Sequence, residues 1–178
     1  MKDIHLWEQF KNGDRQALET IFRLHIKVLY KYGNKFSANR QLVEDCIQDL
    51  FLELWGNKKT LGGTDAIRPY LFSALRRKII RHLQKHHKMI NDHIEPESYC
   101  FVLEENGEEL LINHEKNQEK NQQLSIAMKQ LSTREREAIY LKYYQHLSYE
   151  EIAQTMEVNY QSVRNLIYRA LKRLRTSL

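Results

Sequence analysis

The stretch Leu147–Leu178, LSYEEIAQTMEVNYQSVRNLIYRALKRLRTSL, contains two helical patterns separated by a short turn. Ser148 and Glu151 have the spacing of a capping box, so Ser148 is expected to begin the first helix, which runs to about Met156. The turn Glu157–Asn159 follows, and its last residue is a suitable N-cap for the next helix. The segment therefore predicts a helix-turn-helix.

The second helix of this motif is strongly basic. From Tyr160 to Leu178 it has no Asp or Glu. Its cations are Arg164, Arg169, Lys172, Arg173 and Arg175. Because phosphates make the surface of DNA negative, a helix that approaches DNA gains from cations and loses from carboxylates. The charge pattern favours DNA as the partner of this helix.

The same helix has two chemically different faces. Apolar residues at helical spacing form one face, which is predicted to be buried. They are Val163, Ile167, Ala170 and Leu174, and their expected packing partners are Ile139, Leu147, Ile152 and Ala153. The other face has long polar side chains that suit base edges, flanked by cations for phosphates. The predicted DNA-contacting residues are Asn159, Tyr160, Gln161, Ser162, Arg164, Asn165, Tyr168, Arg169 and Lys172. An ordinary solvent-exposed face is the alternative.

The composition limits the possible classes of protein. The chain has 178 residues, 42% of them hydrophobic, and a formal net charge of +5. This allows one or two small domains and favours an anionic partner. Cys46 and Cys100 lack the paired spacing of a zinc ribbon or a disulfide framework. Neither a signal peptide nor an apolar run long enough to span a bilayer is visible, so we expect a cytoplasmic protein without direct membrane insertion.

The rest of the sequence predicts helices and no convincing strands. The expected helices are Asp3–Lys11, Asp14–Gly33, Asn39–Gly56, Ile67–Lys88 and Ser132–Tyr144. Asp14 is the expected N-cap of its helix, and Gly33 suits the left-handed position that ends it. Ser132 and Glu135 form a further capping box.

Acidic residues concentrate between Ile90 and Glu119, where Lys116 is the single Lys or Arg. Pro96 and Gly107 interrupt the helical pattern there. We therefore predict an all-α fold of two small helical domains joined by an acidic linker. The predicted boundaries are residues 1–89, 90–123 and 124–178. A solvated loop without a function of its own is the alternative for the linker.

The predicted helix at 39–56 has a second interface pattern. Val43, Ile47, Leu50 and Leu54 form its inward stripe. The opposite stripe is Asp45, Gln48, Asp49 and Leu52. An apolar side chain among acids on an outward face favours contact with a basic protein partner. Single exposed leucines are common, so a plain solvated face is the alternative.

The predicted helix at 67–88 has the reverse charge, because no acid lies between Ala66 and Asn91. Arg77, Arg81, Lys85 and Lys88 share one face. A cationic stripe near aromatic side chains suits single-stranded or locally opened DNA. The predicted contact residues are Arg68, Tyr70, Arg76, Arg77, Arg81 and Lys85. A basic face that serves solubility is the alternative, and Tyr70 taken alone is more typical of a core.

An enzyme has little support. His82 and His86 are four residues apart on a helix, and His87 and His93 follow, which suggests a metal-dependent nuclease as a rival. No acid lies near the helical pair, and a hydrolytic metal needs carboxylates or a third ligand. There is no Gly-rich phosphate loop and no nucleophile arrangement. We expect no catalytic residue, no metal and no cofactor.

Five stretches of the sequence together resemble bacterial RNA polymerase sigma factors of the extracytoplasmic-function group. VEDCIQDLFLELW at 43–55 is similar to the family's polymerase-binding helix, and RPYLFSALRR at 68–77 to its promoter-melting helix. LSTRERE at 131–137, LSYEEIA at 147–153 and ALKRLR at 170–175 resemble the domain that reads the −35 element. Glu157 stands where the family usually has Gly, so the turn is strained if φ is positive there.

The resemblance implies a division of labour. The face from Asp45 to Leu52 would dock on the β′ clamp helices of core RNA polymerase, and the C-terminal domain would meet the β flap. The loop 56–65 and the following basic helix would hold the opened −10 strand of promoter DNA. The helix face from Gln161 to Arg169 would read the −35 duplex. The family also implies an anti-sigma factor as a partner. A helix-turn-helix regulator that does not recruit polymerase is the alternative function.

Overall fold

The computed structural model describes residues 2–88, 99–103 and 126–177. Within these ranges the regular secondary structure is entirely helical. The helices are α1 (Lys2–Lys11), α2 (Arg15–Gly33), α3 (Arg40–Asn57), α4 (Ile67–Lys88), α5 (Thr133–Ile139), α6 (Tyr149–Met156) and α7 (Tyr160–Ser177). A single π-helical turn, Tyr140–Tyr144, follows α5. The predicted all-α class is confirmed.

The chain divides into two compact units, the first containing α1–α4 and the second built around α5 and α7. The predicted boundaries at residues 89–90 and 123–124 lie outside the described residues. Most of the predicted acidic linker lies outside them as well. Tyr99–Leu103 is described, and it forms neither helix nor strand.

Local caps set the starts of the helices in the first unit. The Asp14 carboxylate accepts hydrogen bonds from the backbone N–H groups of Gln16 and Ala17, at 2.8 and 3.3 Å. Asn39 accepts from the Leu42 N–H at 3.2 Å and caps α3 in the same way. Because such a cap satisfies donors that the helix itself leaves unpaired, it stabilises the helix by about 1 kcal/mol. The predicted Asp14 cap is confirmed.

The core of the first unit is the inward stripe predicted on α3. Val43, Ile47, Leu50 and Leu54 are all buried. Phe72, Leu75 and Ile79 of α4 and Trp7 and Phe10 of α1 are also fully or nearly fully buried. Close packing of these side chains fixes which faces of α3 and α4 are left outside.

The expectation for Gly33 is wrong. Gly33 is the last residue of α2, and the residue that caps the helix, Asn34, is right-handed with φ −65°. A glycine is needed here because the neighbouring helices leave no room for a β-carbon. A β-carbon at position 33 would lie 2.5 Å from the Val43 Cγ1 and 3.3 Å from the Ile79 Cδ1. The glycine therefore permits close packing of α2 on α3 and α4.

Both capping boxes predicted in the second unit are confirmed. Ser132 and Glu135 exchange side-chain hydrogen bonds with each other's backbone N–H groups at 3.3 and 2.9 Å. Ser148 and Glu151 do the same at 3.1 and 2.7 Å. The helix expected at Ser132–Tyr144 is present, but its last turn is π-helical.

Two residues between α5 and α7 have a backbone conformation that residues with a β-carbon disfavour. His146 follows the π-helical turn and has a φ of 54°. Glu157 lies in the turn before α7 and has a φ of 56°. The left-handed region costs a residue with a β-carbon on the order of 1 kcal/mol or more. The strain expected if Glu157 has a positive φ is thus present.

The predicted buried face of α7 is confirmed. Val163, Ile167, Ala170 and Leu174 are at most 8% exposed. Ala170 and Leu174 pack in one cluster with Ile139, Leu131 and Ala127. This packing turns the opposite, polar face of α7 outward.

None of the described helices combines the length and apolar character that a bilayer crossing requires.

Candidate nucleic-acid and protein interfaces

The outward face of α7 displays the side chains that the sequence singled out. Gln161, Arg164, Asn165, Arg169 and Lys172 are exposed, and Tyr168 is 67% exposed. The Gln161 side-chain amide donates to the Asn165 carbonyl oxygen at 3.2 Å, which aligns two amide groups along the helix. Amides in this arrangement can donate to and accept from base edges.

The start of α7 has a different role from its middle. The Asn159 Oδ1 accepts from the Ser162 N–H at 2.7 Å, so Asn159 is the N-cap, as predicted. Tyr160 is 44% exposed and contacts Tyr149, with ring centroids 5.8 Å apart. Asn159 and Ser162 are both predicted to contact DNA. They also form the hydrogen bond that caps α7.

The buried carboxylate of the first capping box also contacts α7. Glu135 is 2% exposed, and its Oε2 accepts from the Arg173 Nη1 at 2.8 Å. Its Oε1 lies 3.7 Å from the Arg169 Nε. Glu135 thereby joins the first turn of α5 to two arginines of α7. The contact spans 38 residues, so no local pattern in the sequence indicates it.

A cleft of about 390 Å³ opens between α5 and the face of α7. Its polar lining includes Arg134, Ser162, Asn165 and Arg169, over an apolar floor of Val158 and Leu166. Arg134 was not among the predicted contact residues. Two arginines at one cleft suit an anionic group such as a phosphate.

The outward face of α3 is acidic with one large apolar side chain. Asp45, Gln48 and Asp49 are exposed, and Leu52 is 70% exposed. The Asp45 carboxylate accepts from the Gln41 amide at 2.8 Å, which holds it along the helix surface. Acids around an exposed leucine can pair with cations at the rim of an interface while the leucine is buried at its centre.

The neighbouring helix α2 has an exposed aromatic side chain of its own. Phe22 of α2 is 40% exposed and makes an edge contact with Phe51, at 5.0 Å between ring centroids. Phe51 immediately precedes Leu52. Phe22 was not predicted as an interface residue, because the contact depends on how α2 packs against α3.

The residues predicted on α4 fall into two groups. Arg77, Arg81 and Lys85 are exposed and form the cationic face. Arg68 is half-buried, with its guanidinium carbon 5.4 Å from the centroid of the Phe72 ring. The structure therefore brings only part of the predicted set to the surface.

Arg76 is in the inner group, with 8% of the residue exposed. Its guanidinium donates to the Tyr99 hydroxyl at 3.0 Å and lies 5.0 Å from the centroid of that ring. Tyr99 in turn packs on Phe36, with centroids 5.6 Å apart. A direct contact of Arg76 with another molecule requires movement of Tyr99.

Tyr70 is half-buried beside Trp7, and their ring centroids are 5.1 Å apart in an edge-on arrangement. Burial raises the pKa of the Tyr70 hydroxyl above its ordinary value, and the charge of Arg77 opposes the rise. Tyr70 therefore stays a neutral hydrogen-bonding group at physiological pH.

The loop 58–66, between α3 and α4, is held at both ends. The Asn57 carbonyl accepts from the backbone N–H and hydroxyl of Thr60 at 2.8 and 2.9 Å. The Trp7 indole N–H donates to the Gly62 carbonyl at 2.9 Å. The Asp3 carboxylate accepts from the Ile67 N–H at 3.3 Å.

The histidines at the end of α4 have the spacing of a possible metal-ligand pair. Within the part of the chain that the structure describes, no three His, Cys, Asp or Glu side chains are grouped to hold a metal ion. The side chains of His86 and His87, and the whole of His93, lie outside the described residues.

Family models match both units. The model of sigma-70 region 2 matches residues 21–89, and the model of sigma-70 region 4 matches residues 122–174. The first match contains the α3 and α4 faces described above, and the second contains the α7 face.

Curated relatives cover nearly the whole chain at low identity. The chain is 21% identical to the ECF RNA polymerase sigma factor SigM of Bacillus subtilis (strain 168), over 89% of this chain and 93% of that protein. It is 24% identical to the RNA polymerase sigma factor SigV of the same organism, over 94% and 95%.

Solved structures share the fold. CnrH, in its complex with the cytosolic domain of CnrY, matches with a TM-score of 0.66 and 20% identity, over 98% of this chain and 95% of that chain. The sigma factor RpoE of Bartonella quintana, in complex with the anti-sigma factor NepR, matches with a TM-score of 0.64 and 19% identity, over 91% and 96%. At this identity the likeness shows the fold alone.

Proposed function

The chain belongs to the sigma-70 family of RNA polymerase sigma factors, in its extracytoplasmic-function group, and we propose how its surfaces divide the work. Its function is to bind core RNA polymerase and direct promoter-specific initiation of transcription. Sigma factors regulate transcription and are not catalytic. The assignment of individual residues to polymerase and DNA is our proposal.

The observation that carries the proposal is the reversal of charge between two packed helices. The outer face of α3 presents Asp45, Asp49 and the exposed Leu52. The outer face of α4 presents Arg77 and Arg81. A regulator that only binds DNA has no need of the first surface, whereas a sigma factor needs both.

We assign the α3 face to the β′ clamp helices of the polymerase. Asp45, Gln48 and Asp49 form the polar rim, and Leu52 is the apolar group at its centre. Apolar side chains exposed on the second unit, including Ile126 and Tyr143, are the proposed contact with the β flap. The proposed compartment is the cytoplasm, where polymerase and promoters are found.

We assign the α4 face and the loop 58–66 to the opened −10 strand. The exposed cations Arg77, Arg81 and Lys85 suit its phosphates. Arg68 and Tyr70 are half-buried and support this surface from beneath. Arg76 is buried beside Tyr99 and touches DNA only if Tyr99 moves. The outward face of α7 is assigned to the −35 duplex, with Gln161, Arg164 and Asn165 at base edges.

An anti-sigma factor is the further partner we propose. Two solved relatives of this fold are complexes, one with the cytosolic domain of CnrY and the other with the anti-sigma factor NepR. A protein that covers the α3 face would compete with polymerase for this chain. Added anti-sigma domain should then lower the fraction of chain bound to core enzyme.

Run-off transcription tests the function directly. Core polymerase reconstituted with the purified chain should transcribe from a subset of a randomised promoter library and yield one −35 and one −10 motif. Leu52→Glu should abolish this transcription because it places a charge at the centre of the polymerase contact. Leu24→Glu is the matched control, since Leu24 is also exposed, at 63%, but lies on α2.

The outcome for Leu52→Glu separates the two candidate functions. A sigma factor loses core binding and keeps the weak affinity of its free α7 face for DNA. If transcription is unchanged in Leu52→Glu, or if Leu24→Glu is equally damaging, the α3 assignment is wrong. If the wild-type chain binds DNA but not core polymerase, the regulator is the better interpretation.

A further inference from the structure

Helix α1 lies outside the residues matched by the region 2 model, which begins at residue 21. Two of its side chains nevertheless reach the loop 58–66 and the start of α4. We propose that α1 is a positioning element for this loop, with Trp7 as the main positioning residue and Asp3 as the second. The inference rests on the proposed function of the loop, which is to hold the opened −10 strand.

The Trp7 ring is fixed in orientation. It is 1% exposed and is flanked by Phe10 and Tyr70, with ring centroids 5.1 Å away in both cases. A ring held on two sides cannot turn freely, so its N–H points in one direction. That direction is the Gly62 carbonyl, 2.9 Å away and 55 residues along the chain.

Asp3 makes the second contact, at the other end of the loop. Its Oδ2 accepts from the Ile67 N–H at 3.3 Å. Ile67 is the first residue of α4, whose N–H groups lack partners within the helix. One turn of α1 separates Asp3 from Trp7, so a single rigid element holds the middle of the loop and its exit.

The loop has little stiffness of its own at this point. Gly62 and Gly63 are adjacent, and among the described glycines only Gly13 has a positive φ. A β-carbon at Gly62 would have no heavy atom within 4 Å, so neither conformation nor space demands a glycine there. Two glycines make the free backbone mobile, and the Trp7 hydrogen bond offsets this mobility.

A loop fixed before binding loses less entropy when it captures a strand. Preorganisation of this kind raises affinity without adding a contact to the ligand. Trp7 therefore acts on −10 capture through Gly62. If Trp7 were needed only to fill space, its replacement by phenylalanine would have no specific effect on the affinity for DNA.

The test uses the full chain bound to core polymerase. The probe is a fluorescent single-stranded oligonucleotide that carries the −10 motif selected by the wild-type holoenzyme from the promoter library. Trp7→Phe keeps an aromatic ring and removes the N–H. Loss of one neutral hydrogen bond should lower affinity for this probe about fivefold. Affinity for core polymerase and for a duplex with the −35 motif should be unchanged.

Asp3 provides a conservative rescue. Asp3→Ala removes the acceptor for the Ile67 N–H and should lower affinity for the −10 probe by a smaller factor. Asp3→Asn keeps an oxygen acceptor at the same position and should restore the affinity. Ile21→Val removes one carbon from a buried side chain of α2. It controls for a general loss of stability and should leave the affinity for the −10 probe unaltered.

A second rescue tests the entropic argument itself. Gly62→Ala stiffens the loop without a steric clash, so it should recover part of the affinity in the Trp7→Phe background. In the wild-type background, where the loop is already held, the same substitution should have a smaller effect. This difference between backgrounds is not expected from a role in core packing.

Two results would overturn the inference. One is full −10 affinity in Trp7→Phe, and the other is an equal loss for the −10 probe, the −35 duplex and core polymerase. Failure of the proposed function has a different signature, since the wild-type holoenzyme would then fail to bind the −10 probe at all.

Discussion

The Gly33 backbone passes so close to Val43 that a β-carbon at position 33 would lie 2.5 Å from the valine Cγ1. Val43 is completely buried, and Ile79 closes the site from the other side. Gly33→Ala should therefore lower the free energy of unfolding by about 1–3 kcal/mol through overpacking. Chemical denaturation of the two proteins measures the difference.

Gly56→Ala is the matched control for this substitution. Gly56 lies inside α3, and a β-carbon there would have no heavy atom within 4 Å. Alanine should stabilise the helix by about 0.5–1 kcal/mol. A stabilising Gly33→Ala would show that α2 can move away from α3 without cost.

His146 offers a site where glycine should increase stability. Its φ of 54° strains a residue with a β-carbon, and the side chain is exposed. His146→Gly should raise the free energy of unfolding by about 0.5–1 kcal/mol, the relief of strain exceeding the entropy of a freer unfolded chain. His146→Ala keeps the β-carbon and should change stability little. Equal effects of the two variants would mean that the backbone is not the cause.

His25 should make the first unit less stable in mild acid. Burial lowers the pKa of the His25 imidazole below its ordinary value, with the charge of Asp3 opposing and that of Arg68 assisting. Below pH 6.5, the unperturbed value, the unfolded chain thus takes up a proton that the folded chain resists. At higher pH His25 is neutral in both states and does not affect the free energy of unfolding. As the pH drops below 6.5, the free energy of unfolding falls.

The variant His25→Gln isolates this contribution. Its free energy of unfolding should fall less than that of the wild type between pH 7 and pH 5, by denaturation at several pH values. His5→Gln, at an exposed position of α1, is the matched control. If the free energy of unfolding changed with pH equally in the wild type and in His25→Gln, the predicted role of His25 would be wrong.

The residues on α7 should differ in what they contribute to promoter binding. Arg164→Ala and Gln161→Ala should each lower affinity for the selected −35 duplex by about 1–3 kcal/mol and relax sequence preference, because base contacts are lost. Lys172→Ala should weaken cognate and scrambled duplex alike, as expected for a phosphate contact. Titration of each holoenzyme variant on the cognate and the scrambled duplex measures these effects. An equal loss of specificity in all three variants would show that these residues do not differ in their roles.

Much of the fold could be predicted because its signals are local. Asp14 lies beside the N–H groups that it caps, and Ser148 and Glu151 are three residues apart. The spacing of Val163, Ile167 and Leu174 also indicated the buried face of α7 from sequence alone. Local chemistry determined these features, so a short stretch of sequence contained the information.

Other features depend on contacts between distant parts of the chain. The sequence wrongly predicts a left-handed cap at Gly33, because its neighbours in sequence do not reveal the contact with Val43. Arg76 was predicted as a surface cation, yet it is buried beside Tyr99. The hydrogen bond from Trp7 to Gly62 and the ion pair of Glu135 with Arg173 have no local signature.

The position of Glu135 affects how strongly the affinity of α7 for DNA depends on ionic strength. Its carboxylate partly neutralises Arg169 and Arg173, so on binding a duplex these two side chains release fewer of its condensed counterions than free arginines would. Since each phosphate neutralised contributes about −0.9 to the slope of log affinity against log salt, the slope for the −35 duplex should be shallower than the cations on α7 alone suggest. A steeper dependence would mean that DNA draws both guanidinium groups away from the carboxylate.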